Sequence, residues 1–173
     1  MRVNHVKACR KSPGECGACG KVIEIGQPYK WAKGRYTAKK IRCEKCLFKP
    51  SDLTSSKMGT IYDAQEDAQK NIDGWDGEDG SVDDLRSALE ELASVVNEVA
   101  EEYRDSASSV NDVVQNNPMA EEWEEKADSL ESWAGELEGA SLEDYDEDNE
   151  QSKDDWVEEQ RSEARGVVEN CPE

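Results

Sequence analysis

The sequence predicts a small, cysteine-stapled β-finger followed by an acidic, all-α part with coiled-coil character. Three observations predict this fold class. Four of the six cysteines fall into two Cys-x-x-Cys pairs near the N-terminus. The charged residues divide sharply along the chain, with a basic first third and an acidic remainder. Apolar residues in the acidic part recur at helical spacing.

The two cysteine pairs, Cys16 with Cys19 and Cys43 with Cys46, have the spacing of a structural zinc site. Zinc takes four ligands in a tetrahedron, and two cysteines three residues apart can direct their thiolates at one ion from a tight turn. Gly20 follows the first pair, where a residue without Cβ can adopt a positive φ. The alternatives are a redox dithiol pair or disulfides, which would need only one such pair or a secreted chain. The sequence therefore predicts a Zn²⁺ ion held by these four cysteines.

The 23 residues between Cys19 and Cys43 leave room for two short strands and a loop. Residues 22–25 and 29–33 carry the alternation of strands, with turn residues between them. A module of this size buries too little apolar surface to fold alone, so the metal would replace a core. We therefore expect a zinc-stapled β-finger, zinc-ribbon or treble-clef-like, over residues 1–50.

The remaining residues are predicted to be mainly helical. A connecting helix is predicted over 51–73, followed by a flexible acidic loop rich in glycine. Residues 81–138 are predicted to form an acidic helical hairpin or bundle. Its first helix carries a coiled-coil seam at spacings of three and four, made by Val82, Leu85, Leu89, Leu92, Val96, Val99 and Tyr103. After a weak step at Ser106, the seam is predicted to resume at Val110 and Val113. An acidic, mobile linker and a weak last helix are expected over 139–173.

The charges separate into two blocks. Residues 1–57 contain 14 basic and 4 acidic side chains, whereas residues 58–173 contain 7 basic and 37 acidic ones, within a formal charge of −20. Such asymmetry indicates two surfaces with different partners. No apolar stretch is long enough to span a membrane, and an apolar signal region is missing. We therefore expect no membrane partner and a reducing cytoplasm, which also suits free cysteines.

No reaction centre is recognisable. The single histidine, His5, lies in the basic N-terminal segment, and no nucleophile motif accompanies it. The sequence also has no P-loop or dinucleotide-binding turn. We interpret the many carboxylates as side chains on solvent-exposed faces of helices. We expect a protein without catalytic residues and without a small-molecule substrate.

A binding surface is predicted on the finger instead, because cations can neutralise phosphates and aromatic faces can stack on unpaired bases. The alternative is that Tyr29 or Trp31 packs over the metal as a small core. The residues expected to bind nucleic acid or a partner are Lys30, Trp31, Lys33, Arg35, Tyr36, Lys39, Lys40 and Arg42.

The first 60 or so residues resemble small zinc-finger proteins of unassigned function encoded by tailed bacteriophages. The resemblance rests on the lead Val6-Lys7-Ala8, on the run from Cys16 to Gly26, on Pro28-Tyr29-Lys30-Trp31, on Ile41 to Cys46 and on Ser51 to Lys57. It implies a phage protein that acts in the host cytoplasm or in the virion.

These observations predict a non-enzymatic adaptor. Its finger would engage nucleic acid or a nucleic-acid machine of the host, and its helices would contact proteins. Two alternatives stay open. The acidic helices could imitate nucleic-acid charge and inhibit a basic host protein, or they could oligomerise in a virion or assembly protein. Neither Cys9 nor Cys171 receives a predicted role.

Overall fold

The chain divides into two compact units, Met1–Tyr62 and Asp63–Glu173. The computed structural model describes residues 1–33, 38–54, 57–111, 117–146 and 151–172. Because residues 58–62 carry no charge, the basic and acidic blocks of the sequence coincide with these two units. The prediction of a small β-sheet region followed by helices is confirmed.

The first unit contains two small antiparallel sheets. In one, β4 (Tyr29–Ala32) lies between β1 (Val3–Val6) and β5 (Lys40–Cys43). In the other, β2 (Gly14–Glu15) pairs with β3 (Val22–Ile23) as a hairpin beside the first cysteine pair. Part of the basic N-terminal segment thus forms a strand, because β1 pairs with β4 over four residues.

The segment predicted as one connecting helix contains two helices. Helix α1 covers Pro50–Leu53, and α2 covers Met58–Gly74. The backbone of Thr54 is extended, which ends α1 after a single turn. Residues 55–56 lie outside the described part of the chain.

The second unit is built on α3 (Asp83–Asn111), α4 (Pro118–Glu138) and α5 (Lys153–Glu169). Helix α4 begins where the Asn117 side chain accepts a hydrogen bond from the Met119 N–H, with Pro118 in the first turn. Arg86 near the start of α3 reaches the Leu142 carbonyl after α4, so the two helices run antiparallel. Among the described residues, none of the helices has the length and apolar character needed to cross a membrane.

The seven predicted seam positions from Val82, just before α3, to Tyr103 are all buried. Of the two positions where the seam is predicted to resume, Val110 is half-buried and Val113 lies outside the described residues. The same helix also buries four alanines, Ala88, Ala93, Ala100 and Ala107, which widen the apolar stripe. A two-stranded coiled coil would bury a narrower seam. The wider stripe fits a helix that packs against both α4 and α5, so the fold is a bundle.

Two segments predicted as mobile contain packed side chains among their described residues. In the glycine-rich loop, Trp75 is buried and lies edge-on to Trp156 of α5, with ring centroids 5.3 Å apart. In the acidic linker, Leu142 is buried, and the ring centroid of Tyr145 lies 5.3 Å from that of Trp156. Trp156 donates a hydrogen bond to the Glu143 carbonyl. Helix α5 is therefore anchored by an aromatic cluster that joins both segments.

Candidate metal centre

The first cysteine pair is formed by the turn of the β2–β3 hairpin. The Cys16 N–H donates to the Lys21 carbonyl at 2.9 Å, and the Gly20 N–H donates to the Cys16 carbonyl at 2.8 Å. Gly20 has a φ of +68°, which a residue with a Cβ adopts only at a cost. The expectation for this glycine is confirmed, and the turn directs both thiols of the pair to one side.

The second cysteine pair begins where β5 ends, at Cys43. The two pairs are joined by backbone and sulfur contacts, because the Gly17 N–H donates to the Ile41 carbonyl at 2.9 Å. The Cys43 N–H in turn donates to Cys16 Sγ at 3.2 Å. Residues 27 positions apart in the sequence are thereby held together at one point of the finger.

All four sulfurs lie within 4.8 Å of one another, and Cys19 Sγ is 3.9 Å from Cys43 Sγ. A tetrahedral ion with bonds of about 2.3 Å to sulfur separates its ligands by about 3.8 Å. A disulfide would require about 2.05 Å, and all four cysteines are free. The structure therefore brings the four predicted ligands, Cys16, Cys19, Cys43 and Cys46, into a cluster that can hold a metal ion.

The acidity of the thiols differs strongly within this cluster. Burial acts to raise the pKa of Cys16, but backbone N–H donors, first that of Cys43, outweigh it and lower the pKa to about 6. The pKa of Cys43 is lowered as well, chiefly by the Cys46 N–H. Hydrogen bonds with Cys43 and Cys19 raise the pKa of Cys46 to about 12. Backbone N–H donors thus favour the thiolate form at Cys16 and Cys43, and a metal ion bound here would require all four sulfurs to be deprotonated.

A fifth cysteine lies beside the cluster but contributes no ligand. Cys9 is buried with Cys16 and Ile23, and its thiol donates to the Glu24 carbonyl at 2.9 Å. Tyr29 packs against this small group of buried residues. The alternative prediction is that Tyr29 or Trp31 packs as part of a small core at the metal site, and Tyr29 is the ring that does so. Cys171 lies in the other unit, where burial raises its pKa.

The residues predicted to form a binding surface are divided between the two faces of the three-stranded sheet. The register places Lys30 opposite Arg42 and Trp31 opposite Ile41. Directly opposed residues share a face, and neighbours along a strand alternate between faces. Lys30, Lys40 and Arg42 therefore lie on the face opposite Trp31. Arg35 and Tyr36, also predicted to bind, lie outside the described residues.

On the first of these faces, Arg42 is a structural residue. Its guanidinium holds the Asp52 carboxylate of α1 with two contacts, at 2.7 and 2.6 Å, and only 11% of either side chain is exposed. Lys40 adds a contact of 3.3 Å to the same carboxylate. Burial acts to raise the pKa of Asp52, but the hydrogen bond from Arg42 prevails and the pKa is lowered. Arg42 and Lys40 thus dock α1 on this face.

Sequence reasoning missed Asp52, although two signals point to it. It is one of only four acidic residues in the basic unit. Lys40 and Arg42 are two residues apart in a strand and must share a face, where one acidic residue can pair with both.

On the second face, Trp31 is half-buried and Lys39 covers it. The Lys39 Nζ lies 4.6 Å from the centroid of the Trp31 ring and 5.4 Å from that of Tyr29. Lys33 follows β4 and is exposed. The Trp31 ring and the Lys39 ammonium group thus lie together, with Lys33 just beyond the end of the same strand. Cations and aromatic faces of this kind suit an anionic ligand with π surfaces.

No family model matches this chain, and no curated protein and no solved structure matches it either.

Proposed function

We propose that this protein is a non-enzymatic adaptor whose metal-stapled finger binds nucleic acid and whose acidic helical unit binds protein. One observation carries the proposal: the division of charge coincides with the division into two units. The unit that contains the cysteine cluster has 14 basic and 4 acidic residues, and the helical unit has 7 and 37. A compact domain with such an excess of cations attracts polyanions at long range.

We propose zinc as the metal, in a finger of the zinc-ribbon or treble-clef-like type. Four thiolates in a tetrahedron suit zinc or iron. With four protein ligands the ion would have no open position, so it would fix the strands and not activate water. Metal analysis of the purified chain should give one zinc per chain. A red, iron-containing protein would overturn the zinc assignment and leave the ligand set intact.

The binding proposal is tested on the full, metal-loaded chain with labelled nucleic acids. We expect binding that weakens steeply as salt rises, because phosphate contacts release counterions. A variant with Lys33→Glu and Lys39→Glu should lose affinity while keeping its metal. A matched variant with Lys7→Glu and Lys11→Glu changes the net charge equally and should bind better than the first. Absence of binding to any nucleic acid would contradict the proposal.

A second candidate is inhibition of a basic host protein by imitation of nucleic-acid charge. It is favoured by the pairing of basic side chains within the helical unit. Several of its basic residues bond within the unit, among them Arg86, Arg104, Lys153, Arg161 and Arg165. The unit carries 37 acidic residues against 7 basic ones, so a large excess of negative charge remains. Capture of a basic, nucleic-acid-binding host protein, reversed by added nucleic acid, would support this candidate over the adaptor.

The resemblance to phage zinc-finger proteins belongs to the same proposal, and with it a place in the host cytoplasm. A virion or assembly protein that oligomerises through its helices is the remaining alternative. Light scattering on the full chain separates them, because the adaptor is expected as a monomer and an assembly protein as a stable oligomer.

A further inference from the structure

The face of the sheet that carries Trp31 also carries a row of cations. The register pairs Asn4 with Trp31 and Trp31 with Ile41 across the three strands. The paired register ends at Val3, Ala32 and Lys40. Arg2, Lys33 and Lys39 are the next residues beyond these strand ends, and the same register, continued by one residue, would bring them level with one another. Residues two apart in a strand share a face. The contact of Lys39 Nζ with the Trp31 ring at 4.6 Å agrees with this placement.

With the register continued in this way, the three cations would form a compact positive surface. Strands in a sheet are about 4.8 Å apart, so neighbouring cations lie well within a Debye length of about 8 Å at physiological salt. All three side chains belong to exposed residues. On the opposite face, by contrast, Arg42 and Lys40 are occupied by the Asp52 carboxylate. Part of the positive charge on the opposite face is therefore engaged in docking α1, which favours the side of Trp31 for a ligand.

We propose that this face binds unpaired nucleotides: a base stacks on Trp31, and the adjoining phosphates contact Arg2, Lys33 and Lys39. The inference rests on the proposed nucleic-acid binding and names the form of nucleic acid that the finger takes. Arg2 is a new member of the site, because the sequence pattern alone gives no sign that it meets the other two cations.

Trp31 is the reason for assigning unpaired nucleotides. A base within a duplex offers only its edge to a protein, whereas an unpaired base offers its π face to an aromatic ring. Trp31 lies in the central strand, with paired neighbours on both sides, so the ring is presented by a rigid element. Stacking of this kind tolerates any base, so little sequence preference is expected.

The position of Lys39 over the ring is compatible with this binding. A cation–π contact at an exposed site is weaker than stacking of a base on an aromatic ring. The lysine stem has four carbons and rotates freely. A base therefore displaces the ammonium group from the ring, and the ammonium group turns to the phosphate of the same nucleotide.

The experiment measures binding of the full, metal-loaded chain by fluorescence anisotropy. The probes are a labelled oligothymidylate and a blunt DNA duplex of the same length. The triple variant with Arg2→Gln, Lys33→Gln and Lys39→Gln is compared with a control that carries Lys7→Gln, Arg10→Gln and Lys11→Gln. Both variants lose three charges from exposed residues of the same unit, so non-specific attraction falls equally in each.

We expect tighter binding to the single strand than to the duplex. The triple variant should reduce the salt slope for the single strand by about two units, since each phosphate contact adds about 0.7, and the control should reduce it less. Trp31→Ala should weaken single-strand binding about tenfold or more, and Trp31→Phe should retain most of it. Metal content reports whether each variant is still folded.

Equal weakening by the triple variant and its control would overturn the inference, as would duplex binding as tight as single-strand binding. Unchanged single-strand affinity in a metal-loaded Trp31→Ala variant would overturn it too. In each of these cases nucleic-acid binding itself would survive. Failure of the unmodified chain to bind either probe would instead overturn the proposed function.

Discussion

The two units of this protein are stabilised by different means. The first unit gathers four thiols, and the buried cluster at this site contains just Cys9, Cys16 and Ile23 among the described residues. The second unit buries large aliphatic side chains along whole helices, including Leu85, Leu89, Leu92, Leu130 and Leu137. A domain with so small an apolar core needs another source of stability. We therefore expect removal of the metal to destabilise the first unit only, and truncation of buried aliphatic side chains to destabilise the second unit only.

The largest expected effect is the loss of one cysteine ligand. Cys43→Ser should abolish metal binding and unfold the finger, because metal binding of about 10–16 kcal/mol is folding energy in such modules. The helical unit should keep its helical circular dichroism. Limited proteolysis with trypsin should therefore cut the variant within residues 1–62 and spare the helices. A finger that stays protected would show that the metal is dispensable for it.

The matching change in the helical unit is Leu89→Ala. Leu89 is 1% exposed in the middle of α3, so the truncation should cost about 2–5 kcal/mol of the free energy of unfolding. Urea titration followed by circular dichroism measures this loss. Metal content should not change, and Glu90→Ala on the exposed side of the same helix serves as the control. Metal loss in the Leu89 variant would mean that the two units do not respond separately.

A smaller effect within the finger is expected from Asp52→Asn. The ionised carboxylate bonds to the mostly buried Arg42 guanidinium, so its loss should cost about 1.5–3 kcal/mol. Because the pKa of Asp52 is lowered in the folded state, this stabilisation is fully present above the unfolded-state pKa of about 3.9. It is lost as the pH falls through the lower folded-state pKa. Denaturant titrations at several pH values check the difference between the two proteins.

In that series, wild-type protein and Asp52→Asn should differ in stability near neutral pH and converge in acid. A difference that persists unchanged at low pH would contradict the assignment of an ionised, paired carboxylate.

The smallest effects should have opposite signs in the two units. Gly20→Ala places a Cβ at a φ of +68° and should destabilise the finger by about 1 kcal/mol. Gly135→Ala lies in α4, where an added Cβ meets no atom within 4 Å, and should stabilise the helices by about 0.5–1 kcal/mol. Metal affinity and urea midpoints report the two changes. The same sign in both units would contradict this distinction between turn and helix.

Local patterns in the sequence were sufficient for parts of this structure. The spacing of the cysteine pairs predicted the cluster, because a turn that holds two thiols three residues apart is a local feature. The period of three and four predicted the buried side of α3, since Val82, Leu89 and Val96 repeat along one helix face. Both features follow from residues near one another in the chain.

Other parts depend on partners distant in sequence. Trp75 and Trp156 lie in or next to acidic segments that look like loops, and each is buried by the other. Strand β1 is short and becomes a strand only by pairing with β4. The prediction of a single binding surface did not take into account that side chains alternate between the two faces of a sheet along each strand. This alternation places Arg42 and Trp31 on opposite faces. Only the register of the sheet separates the cation that docks α1 from those beside the ring.

The most direct measurement is a two-dimensional amide spectrum of the full, labelled chain before and after removal of metal with a strong chelator. We expect the dispersed resonances of residues 1–62 to collapse and those of residues 63–173 to stay in place. Adding zinc back should restore the first set. A spectrum in which the finger resonances survive chelation would contradict a fold held together by metal at Cys16, Cys19, Cys43 and Cys46.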